Sequence, residues 1–198
     1  MIGGRKMTQT LGITELAIFY IAYFLKMYQQ HNKGIQTNQL GKGNKAKRII
    51  LIEKLLNLSS ITNILVILIS AIFNTSIFES QFVRSLGLLL IGVGTSIFII
   101  AMYTMKDNWR AGIPAKDKTE MVTKGIYKFS RNPAFLGFDL TYLGASLCFG
   151  NIILFIVAIL AIIMMHLQIL EEEKFLTVTF GNNYLEYKNK VGRYFIFI

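Results

Sequence analysis

Charged residues and cysteine are both scarce in this 198-residue sequence. Charged side chains make up 16% of it, against about 25% in soluble domains, and 11 acids face 21 lysines and arginines. The single cysteine, Cys148, excludes an internal disulfide framework, and with two distant histidines it makes no metal-ligand set. Because 53% of the residues are hydrophobic, these shortages exclude an ordinary soluble enzyme and predict an all-α integral membrane protein.

Long apolar runs in the sequence indicate about five transmembrane helices. A hydrocarbon core about 30 Å thick needs about 20 apolar residues in a helix, and residues 11–28, 55–78 and 85–105 supply three such runs. Residues 133–170 are too long for one crossing, and Gly150-Asn151 near their middle is a turn signal. We therefore expect a helical hairpin there, with two antiparallel spans.

Basic residues concentrate in segments 29–57 and 106–132, the second of which includes Lys116 and Lys118. Such residues accumulate in cytosolic loops, so we expect both segments and the C-terminus in the cytosol and the N-terminus outside. The first apolar run follows basic residues as a signal peptide does, but no small-residue cleavage pattern follows it, and we expect it to be retained. The small size and the lack of a retention signal favour a bacterial cell membrane.

The chain is predicted to have two regions, a three-span membrane region over residues 1–105 and a functional core over residues 106–198. Its basic loops lack interleaved aromatic residues, which argues against nucleic-acid binding. We expect the lipid bilayer, including anionic headgroups, as their partner. Lipid-facing and helix-facing apolar residues look alike, so the sequence predicts no oligomeric state.

Arg131-Asn132-Pro133 begins the fourth apolar run. Proline favours the first position of a helix and asparagine is a frequent N-cap, so Asn132 is predicted to cap this helix. The unpaired N–H groups of a helix start beside an arginine attract a carboxylate or a phosphate. A capped helix with an arginine at the membrane interface is the simpler interpretation of these residues alone.

Three consecutive acids, Glu171-Glu172-Glu173, follow the fifth apolar run. A helix that continues to Phe180, before the helix-ending Gly181, would place Glu172 and Glu173 on different faces outside the membrane. Carboxylates towards a helix C-terminus need a compensating cation, which Arg131 or a cationic ligand would supply. A solvated acidic cluster at the water boundary is the alternative.

The ordered motifs of residues 105–195 resemble the isoprenylcysteine carboxyl methyltransferase and phospholipid methyltransferase family. These motifs are Val-Thr-Lys-Gly-Ile-Tyr at 122–127, Arg-Asn-Pro-Ala-Phe-Leu-Gly at 131–137, the helical hairpin, Glu172-Glu173, Phe180-Gly181, Tyr184, Tyr187, Val191 and Arg193. The resemblance implies a membrane enzyme that transfers a methyl group from S-adenosylmethionine to a lipophilic acceptor at the cytosolic face.

By position, the resemblance also implies residues that bind the cofactor. They are Glu120, Met121, Val122, Tyr127, Asn132, Pro133, Ala134, Phe135 and Glu172, with Glu173 completing the acid pair. We add Arg131, whose cation beside the helix start suits the cofactor carboxylate. Glu172 is expected to accept hydrogen bonds from the ribose or the amino group, and Tyr127 and Phe135 to pack on the adenine.

Three positions depart from the family pattern. Asn132 replaces the usual histidine and so cannot transfer a proton there, and Phe135 replaces the usual tyrosine. Gln168 lies where the carboxyl methyltransferases hold an arginine that contacts the substrate. A neutral amide at Gln168 weakens the case for a prenylcysteine carboxylate as acceptor.

Methyl transfer from a sulfonium is an in-line displacement that depends on positioning. A carboxylate acceptor needs no base, whereas an amine acceptor would lose a proton to Glu173, His166 or Asp139. We predict substrate contacts at Gln168 and Tyr142, and a lipid-side path for the acceptor near Asp139, Tyr142 and His166. Two other functions stay open, an NADPH-dependent membrane reductase of the sterol-reductase type and a non-catalytic lipid-binding protein of the same fold.

Overall fold

The structure, a computed structural model, describes residues 2–114 and 120–195. Within these ranges the chain is helical and has no strand, apart from one isolated backbone bridge between Asn38 and Ala111, so the all-α prediction is confirmed. Lys116 and Lys118 lie outside the described residues. The helices are α1 (Ile2–His31), α2 (Lys47–Phe73), α3 (Gln81–Met105), α4 (Pro133–Phe149), α5 (Ile152–Phe180) and α6 (Asn182–Lys190), with 3-10 turns at Lys106–Asn108 and Gly125–Lys128.

Four of these helices, α1, α2, α3 and α5, are long and apolar enough to cross a membrane. Helix α4 has only 17 residues, so the fifth crossing stays a prediction. The second span is displaced towards the N-terminus relative to the predicted run 55–78, because α2 begins at Lys47 and ends at Phe73. Asn74 adopts a left-handed conformation with φ of 50°, which ends the helix.

The predicted helical hairpin is present. Helix α4 ends at Phe149, and Asn151 caps α5 by accepting a hydrogen bond from Leu154 N–H at 2.9 Å. Helix α5 then continues to Phe180 and is ended by Gly181, whose φ is 55°. The continuation past Leu170 carries the three acids beyond the apolar run, as the sequence indicated.

Helices α3 and α4 pack backbone against backbone at paired glycines. A Cβ atom on Gly144 would lie 2.6 Å from the Gly87 carbonyl oxygen. A Cβ atom on Gly137 would lie 2.8 Å from the Gly94 carbonyl oxygen. Gly137 and Gly144 thus allow α3 to approach closely, and this contact sets the position of α4 in the bundle.

We expect Gly144→Ala to lower the thermal unfolding temperature of the purified protein. The new methyl group would meet backbone atoms of α3 that cannot move aside, and such overpacking costs about 1–3 kcal/mol. Gly92→Ala is the control, because a Cβ there would meet only the Glu15 side chain, at 3.3 Å or more. Equal unfolding temperatures for the two variants would contradict this backbone contact.

The long polar connections gather at one end of the bundle. Gln39 N–H donates to the Ala111 carbonyl and Ala111 N–H donates to the Thr37 carbonyl, which joins the segment after α1 to the segment after α3. Arg131 N–H donates to the Gly192 carbonyl and brings in the chain after α6. We call this the loop end. It holds the described parts of both basic segments and the described end of the chain.

A buried carboxylate fastens the loop end to α2. Glu53 is fully buried and accepts hydrogen bonds from Lys45 Nζ at 2.7 Å, Gly41 N–H at 2.8 Å and Ile113 N–H at 3.0 Å. The Lys45 side chain is itself almost fully buried. These bonds fix the segments after α1 and α3 relative to each other, which shapes one wall of the site.

Candidate functional site

A pocket opens at the loop end, between the start of α4, the outer turns of α5 and α6. We call it the loop-end pocket. It is lined by Met105, Asn108, Trp109, Arg110, Gly112, Ile113, Pro114, Glu120, Met121, Val122, Tyr127, Arg131, Asn132, Ala134, Phe135, Glu172, Phe175, Leu176, Phe180, Tyr184 and Tyr187. Nine of the eleven predicted cofactor-binding residues are in this set, and the two outside it are Pro133 and Glu173.

Glu173 lies at the centre of a buried charge cluster beside the loop-end pocket. Its Oε1 accepts hydrogen bonds from Arg131 Nη2 at 2.9 Å and Asn132 Nδ2 at 3.3 Å, and its Oε2 accepts one from Arg193 Nη2 at 3.0 Å. Only 4% of Glu173 is exposed. The expected pairing of Arg131 with the acids is confirmed. A carboxylate held by two guanidinium groups is a weak proton acceptor, which argues against Glu173 as a base.

Arg131 is used to hold the chain after α6. Besides its contacts with Glu173, its Nη1 donates to the carbonyls of Lys188 and Val191. All three guanidinium nitrogens are therefore engaged within the described residues. Arg131 therefore has a structural role in the fold, and its contact with the cofactor carboxylate stays a prediction.

Asn132 occupies the N-cap position of α4 but does not cap it with its side chain. Its Nδ2 donates instead to Glu173 Oε1 and to the Arg193 carbonyl at 3.2 Å. The prediction of a side-chain cap is wrong, because long-range partners compete successfully for the amide. Asn132 thus ties the start of α4 to the charge cluster.

Glu172 points to the other side of α5, into the loop-end pocket. Its Oε1 accepts a hydrogen bond from Gln168 Nε2 at 3.0 Å, and no cation of the described residues pairs with it within 4 Å. Leu176 and Phe180 line the same pocket, as their helical spacing from Glu172 predicted. Its carboxylate therefore has unused acceptor capacity directed at whatever fills the pocket.

Gln168 does not line the loop-end pocket. It is fully buried one helical turn before Glu172 and orients that carboxylate. The predicted substrate contact at Gln168 therefore has no support in the geometry, and Gln168 is a positioning residue for Glu172. The neutral Gln168 amide was expected to disfavour a carboxylate acceptor. Because Gln168 does not line the loop-end pocket, it gives no reason to disfavour such an acceptor.

Three tyrosines shape the aromatic side of the loop-end pocket. The Tyr187 hydroxyl donates to the Tyr127 carbonyl at 2.6 Å. Tyr184 is 1% exposed, and its hydroxyl has no hydrogen-bond partner among the described residues. Burial raises the pKa of Tyr184 to about 12, so its phenol stays protonated and is available to donate a hydrogen bond.

A second, largely hydrophobic cavity adjoins the loop-end pocket. This apolar cavity lies between α1, α2 and α4, and its lining includes Tyr20, Ser60 and the predicted substrate contact Tyr142. Some residues line both spaces and form their common wall. They are Trp109, Arg110, Gly112, Ala134 and Phe135.

Position 112 of this wall requires a glycine because of its backbone conformation. Its φ of 92° lies in a region that L side chains rarely adopt, and a Cβ there would lie 3.0 Å from Leu40 and 3.1 Å from Glu53 Oε1. Sequence reasoning did not identify Glu53, Trp109 or Gly112 as site residues. The one sequence feature that could have pointed to this wall is that Glu53 is the single acid in the basic segment 29–57.

Asp139 and His166 line neither the loop-end pocket nor the apolar cavity. They line a groove on the outside of the α4–α5 hairpin, together with Tyr194, and none of its described lining residues belongs to the loop-end pocket or the apolar cavity. The expectation that Asp139, Tyr142 and His166 flank one path is wrong, because Tyr142 faces the apolar cavity. Neither Asp139 nor His166 is placed to act as a base in either space.

Comparison with known proteins agrees with the motifs. Residues 82–183 match the phospholipid methyltransferase family. The chain is 33% identical to Protein-S-isoprenylcysteine O-methyltransferase of Saccharomyces cerevisiae over 112 residues, which cover 54% of this chain and 46% of that protein. The Xenopus laevis protein of the same name is 30% identical over 54% of this chain and 38% of its own length. The Schizosaccharomyces pombe protein of that name is 28% identical over 70% of this chain and 56% of its own length.

The chain thus spans about half the length, or less, of the curated relatives it matches. The family match begins within α3 and ends within α6, so it includes the α4–α5 hairpin and most of the loop-end pocket. It covers just over half of the sequence. The chain belongs to the phospholipid methyltransferase family.

Proposed function

We propose that this protein is a membrane methyltransferase that transfers a methyl group from S-adenosylmethionine to a lipophilic acceptor. The observation that carries the proposal is the common wall between the loop-end pocket and the apolar cavity. A methyl donor in the first space and an acceptor in the second would meet at that wall. Family membership supports the reaction class.

The described residues of the loop-end pocket fit S-adenosylmethionine. The cofactor supplies an electrophilic methyl group on a sulfonium, together with hydroxyl and amino donors and an adenine ring. Glu172 offers a carboxylate to the donors and a negative charge to the sulfonium. Tyr184 offers a buried hydroxyl that has no other partner among the described residues, and Tyr127 and Phe135 offer aromatic faces for the adenine.

The apolar cavity would hold the hydrophobic part of the acceptor. Phe24 and Ile61 line it from α1 and α2 and are about half exposed on the outer surface, at 59% and 49%. We therefore place the path for the acceptor between α1 and α2. Inside, the buried hydroxyls of Tyr20 and Tyr142 lie near each other and near Ser60, and this polar patch would meet a polar atom of the acceptor.

The residues of the common wall favour an anionic acceptor atom. None of the five wall residues, Arg110 included, can accept a proton at neutral pH. A carboxylate acceptor needs no base, whereas an amine would have to lose a proton. We therefore propose O-methylation of a lipophilic carboxylate, with the wall orienting the reacting atoms and excluding water.

The proposal is tested by methyl transfer from tritiated S-adenosylmethionine in nanodiscs, with farnesylcysteine and a lipid amine offered as acceptors. We expect label in farnesylcysteine that mild base releases as methanol, as an ester requires. Label that resists base would contradict O-methylation. Binding of NADPH without binding of S-adenosylmethionine would contradict the methyltransferase and support a reductase.

We expect Ser60→Phe to abolish methyl transfer while S-adenosylmethionine binds as in the wild type. Ser60 lines the apolar cavity, so the larger ring would take the space of the acceptor and leave the loop-end pocket intact. Ser59→Phe is the matched control one residue away, since Ser59 lies outside the cavity lining and bonds the Leu56 carbonyl. Full activity of Ser60→Phe would contradict the acceptor site.

A further inference from the structure

The groove on the outside of the α4–α5 hairpin contains polar groups in an otherwise hydrocarbon wall. We call it the outer groove. Leu140, Leu143, Ile162 and Ile163 form its apolar part, and Asp139, His166 and Tyr194 lie in the same groove. Asp139 is six residues into α4 from the loop end, which is about 9 Å along the helix. The polar part of the groove is therefore near that end, and the apolar part continues towards the middle of the hairpin.

Asp139 is the residue of this group whose burial costs the most free energy. Its residue surface is 9% exposed, and its Oδ1 is buried without a hydrogen-bond partner among the described residues. No ion pair of the described residues includes it. A buried carboxylate without a partner is strongly unfavourable, and in a membrane-facing position such groups mark binding or transport sites.

The other two polar groups are already oriented. His166 Nδ1 and the Tyr194 hydroxyl are 3.0 Å apart, and their rings are nearly parallel at an angle of 22°. Burial, and then the Asp139 carboxylate, raise the pKa of Tyr194 to about 12. The phenol thus stays protonated beside the carboxylate. Together these groups offer several acceptor sites and, when Asp139 is ionised, one negative charge that no ion pair of the described residues balances.

We propose that the outer groove binds a resident lipid with a primary-ammonium headgroup, separate from the methyl acceptor. The ammonium would donate hydrogen bonds to Asp139 and supply the missing positive charge. The acyl chains would lie against Leu143 and Ile163 on the outside of the hairpin. Charge complementarity selects this class, because an anionic headgroup would be repelled by Asp139 and a quaternary ammonium has no N–H to donate.

The test is photo-crosslinking in nanodiscs without S-adenosylmethionine, using lipids that carry a diazirine in one acyl chain. We compare phosphatidylethanolamine, phosphatidylcholine and phosphatidylglycerol with identical chains, and map labelled peptides by mass spectrometry. We expect phosphatidylethanolamine to label α4 and α5 about tenfold more than either other lipid, as a charge-assisted hydrogen bond allows. Asp139→Asn should remove that preference. Excess water-soluble glycerophosphoethanolamine should not compete, since it lacks the chains.

Glu15→Gln is the matched control, because Glu15 lies in another membrane-facing groove, between α1 and α3. It should leave labelling of α4 and α5 unchanged. Leu143→Phe, at a position that is 41% exposed, should reduce labelling by filling the groove. Equal labelling by the three lipids, an unchanged preference in Asp139→Asn, or protein–protein crosslinks from a second copy on this face would each overturn the proposal.

Discussion

Replacing Glu172 by glutamine is expected to weaken S-adenosylmethionine binding about ten- to hundredfold, because hydrogen bonds to a charged group contribute about 1.5–3 kcal/mol. Glu172 directs its carboxylate into the loop-end pocket, with the Gln168 amide as its one partner among the described residues. Glutamine has nearly the same shape but loses the negative charge that faces the sulfonium. It also replaces an acceptor oxygen with a donor. The fold should be unaffected, since no buried cation of the described residues depends on Glu172.

The measurement is calorimetric titration of S-adenosylmethionine into the protein in nanodiscs. Glu186→Gln is the matched control, because it makes the same change of charge at an exposed position of α6 outside the pocket lining. Its affinity should equal that of the wild type. An unchanged affinity in Glu172→Gln, with normal thermal unfolding, would remove the carboxylate from the cofactor site and leave Tyr184 as its main polar contact.

The parts of the site that are local in sequence could be predicted from it. The α4–α5 hairpin follows from an apolar run that is too long for one crossing and has a glycine and an asparagine at its middle. Glu172, Leu176 and Phe180 share a helix face because of their spacing, and all three line the loop-end pocket. Such predictions need only the helical period and the residues that end helices.

The errors come from contacts between segments that are far apart in the chain. Local rules made Asn132 a helix cap and Arg131 an anion site, yet Glu173 lies more than 40 residues away and takes both side chains. Helix-capping preferences describe a helix start without neighbours, so a buried carboxylate that arrives from α5 overrides them. The same is true of Glu53, which looked like one acid among many bases and is a buried anchor.

The predictions for the membrane-facing residues were wrong for a related reason. Asp139 and Tyr142 are three residues apart on α4, and the sequence alone gave no reason to separate them. The structure places α1 and α2 on the Tyr142 side, which closes the apolar cavity, while Asp139 faces the outer groove. Apolar residues that face lipid and those that face another helix have the same composition. Only the packing of the bundle decides which polar residue of α4 meets which surface.

We expect Glu173→Gln to be strongly destabilising, by about 3–5 kcal/mol, because it leaves buried guanidinium groups without their counter-ion. Arg131 has 7% of its side chain exposed and Arg193 has 25%. Both donate to Glu173, and Asn132 adds a third contact. Glutamine would offer one oxygen in place of two and would turn an N–H₂ group towards two cations. The chain after α6 should detach from the start of α4.

Glu171→Gln provides the control in the same helix. Glu171 is itself buried, with 7% of its side chain exposed, but its partners Arg48 and Lys174 are 71% and 62% exposed. Glutamine there leaves no buried cation without its counter-ion, and pairs with such exposed cations contribute only about 1 kcal/mol. Thermal unfolding in nanodiscs should therefore separate the two variants by at least about 4 °C. Trypsin should also cut faster at Lys188 and Lys190 in Glu173→Gln, because the Arg131 contacts that hold this segment depend on Glu173. Equal unfolding temperatures and equal cleavage in the two variants would show that the charge cluster does not anchor the end of the chain, and that the loop-end pocket keeps its shape without it.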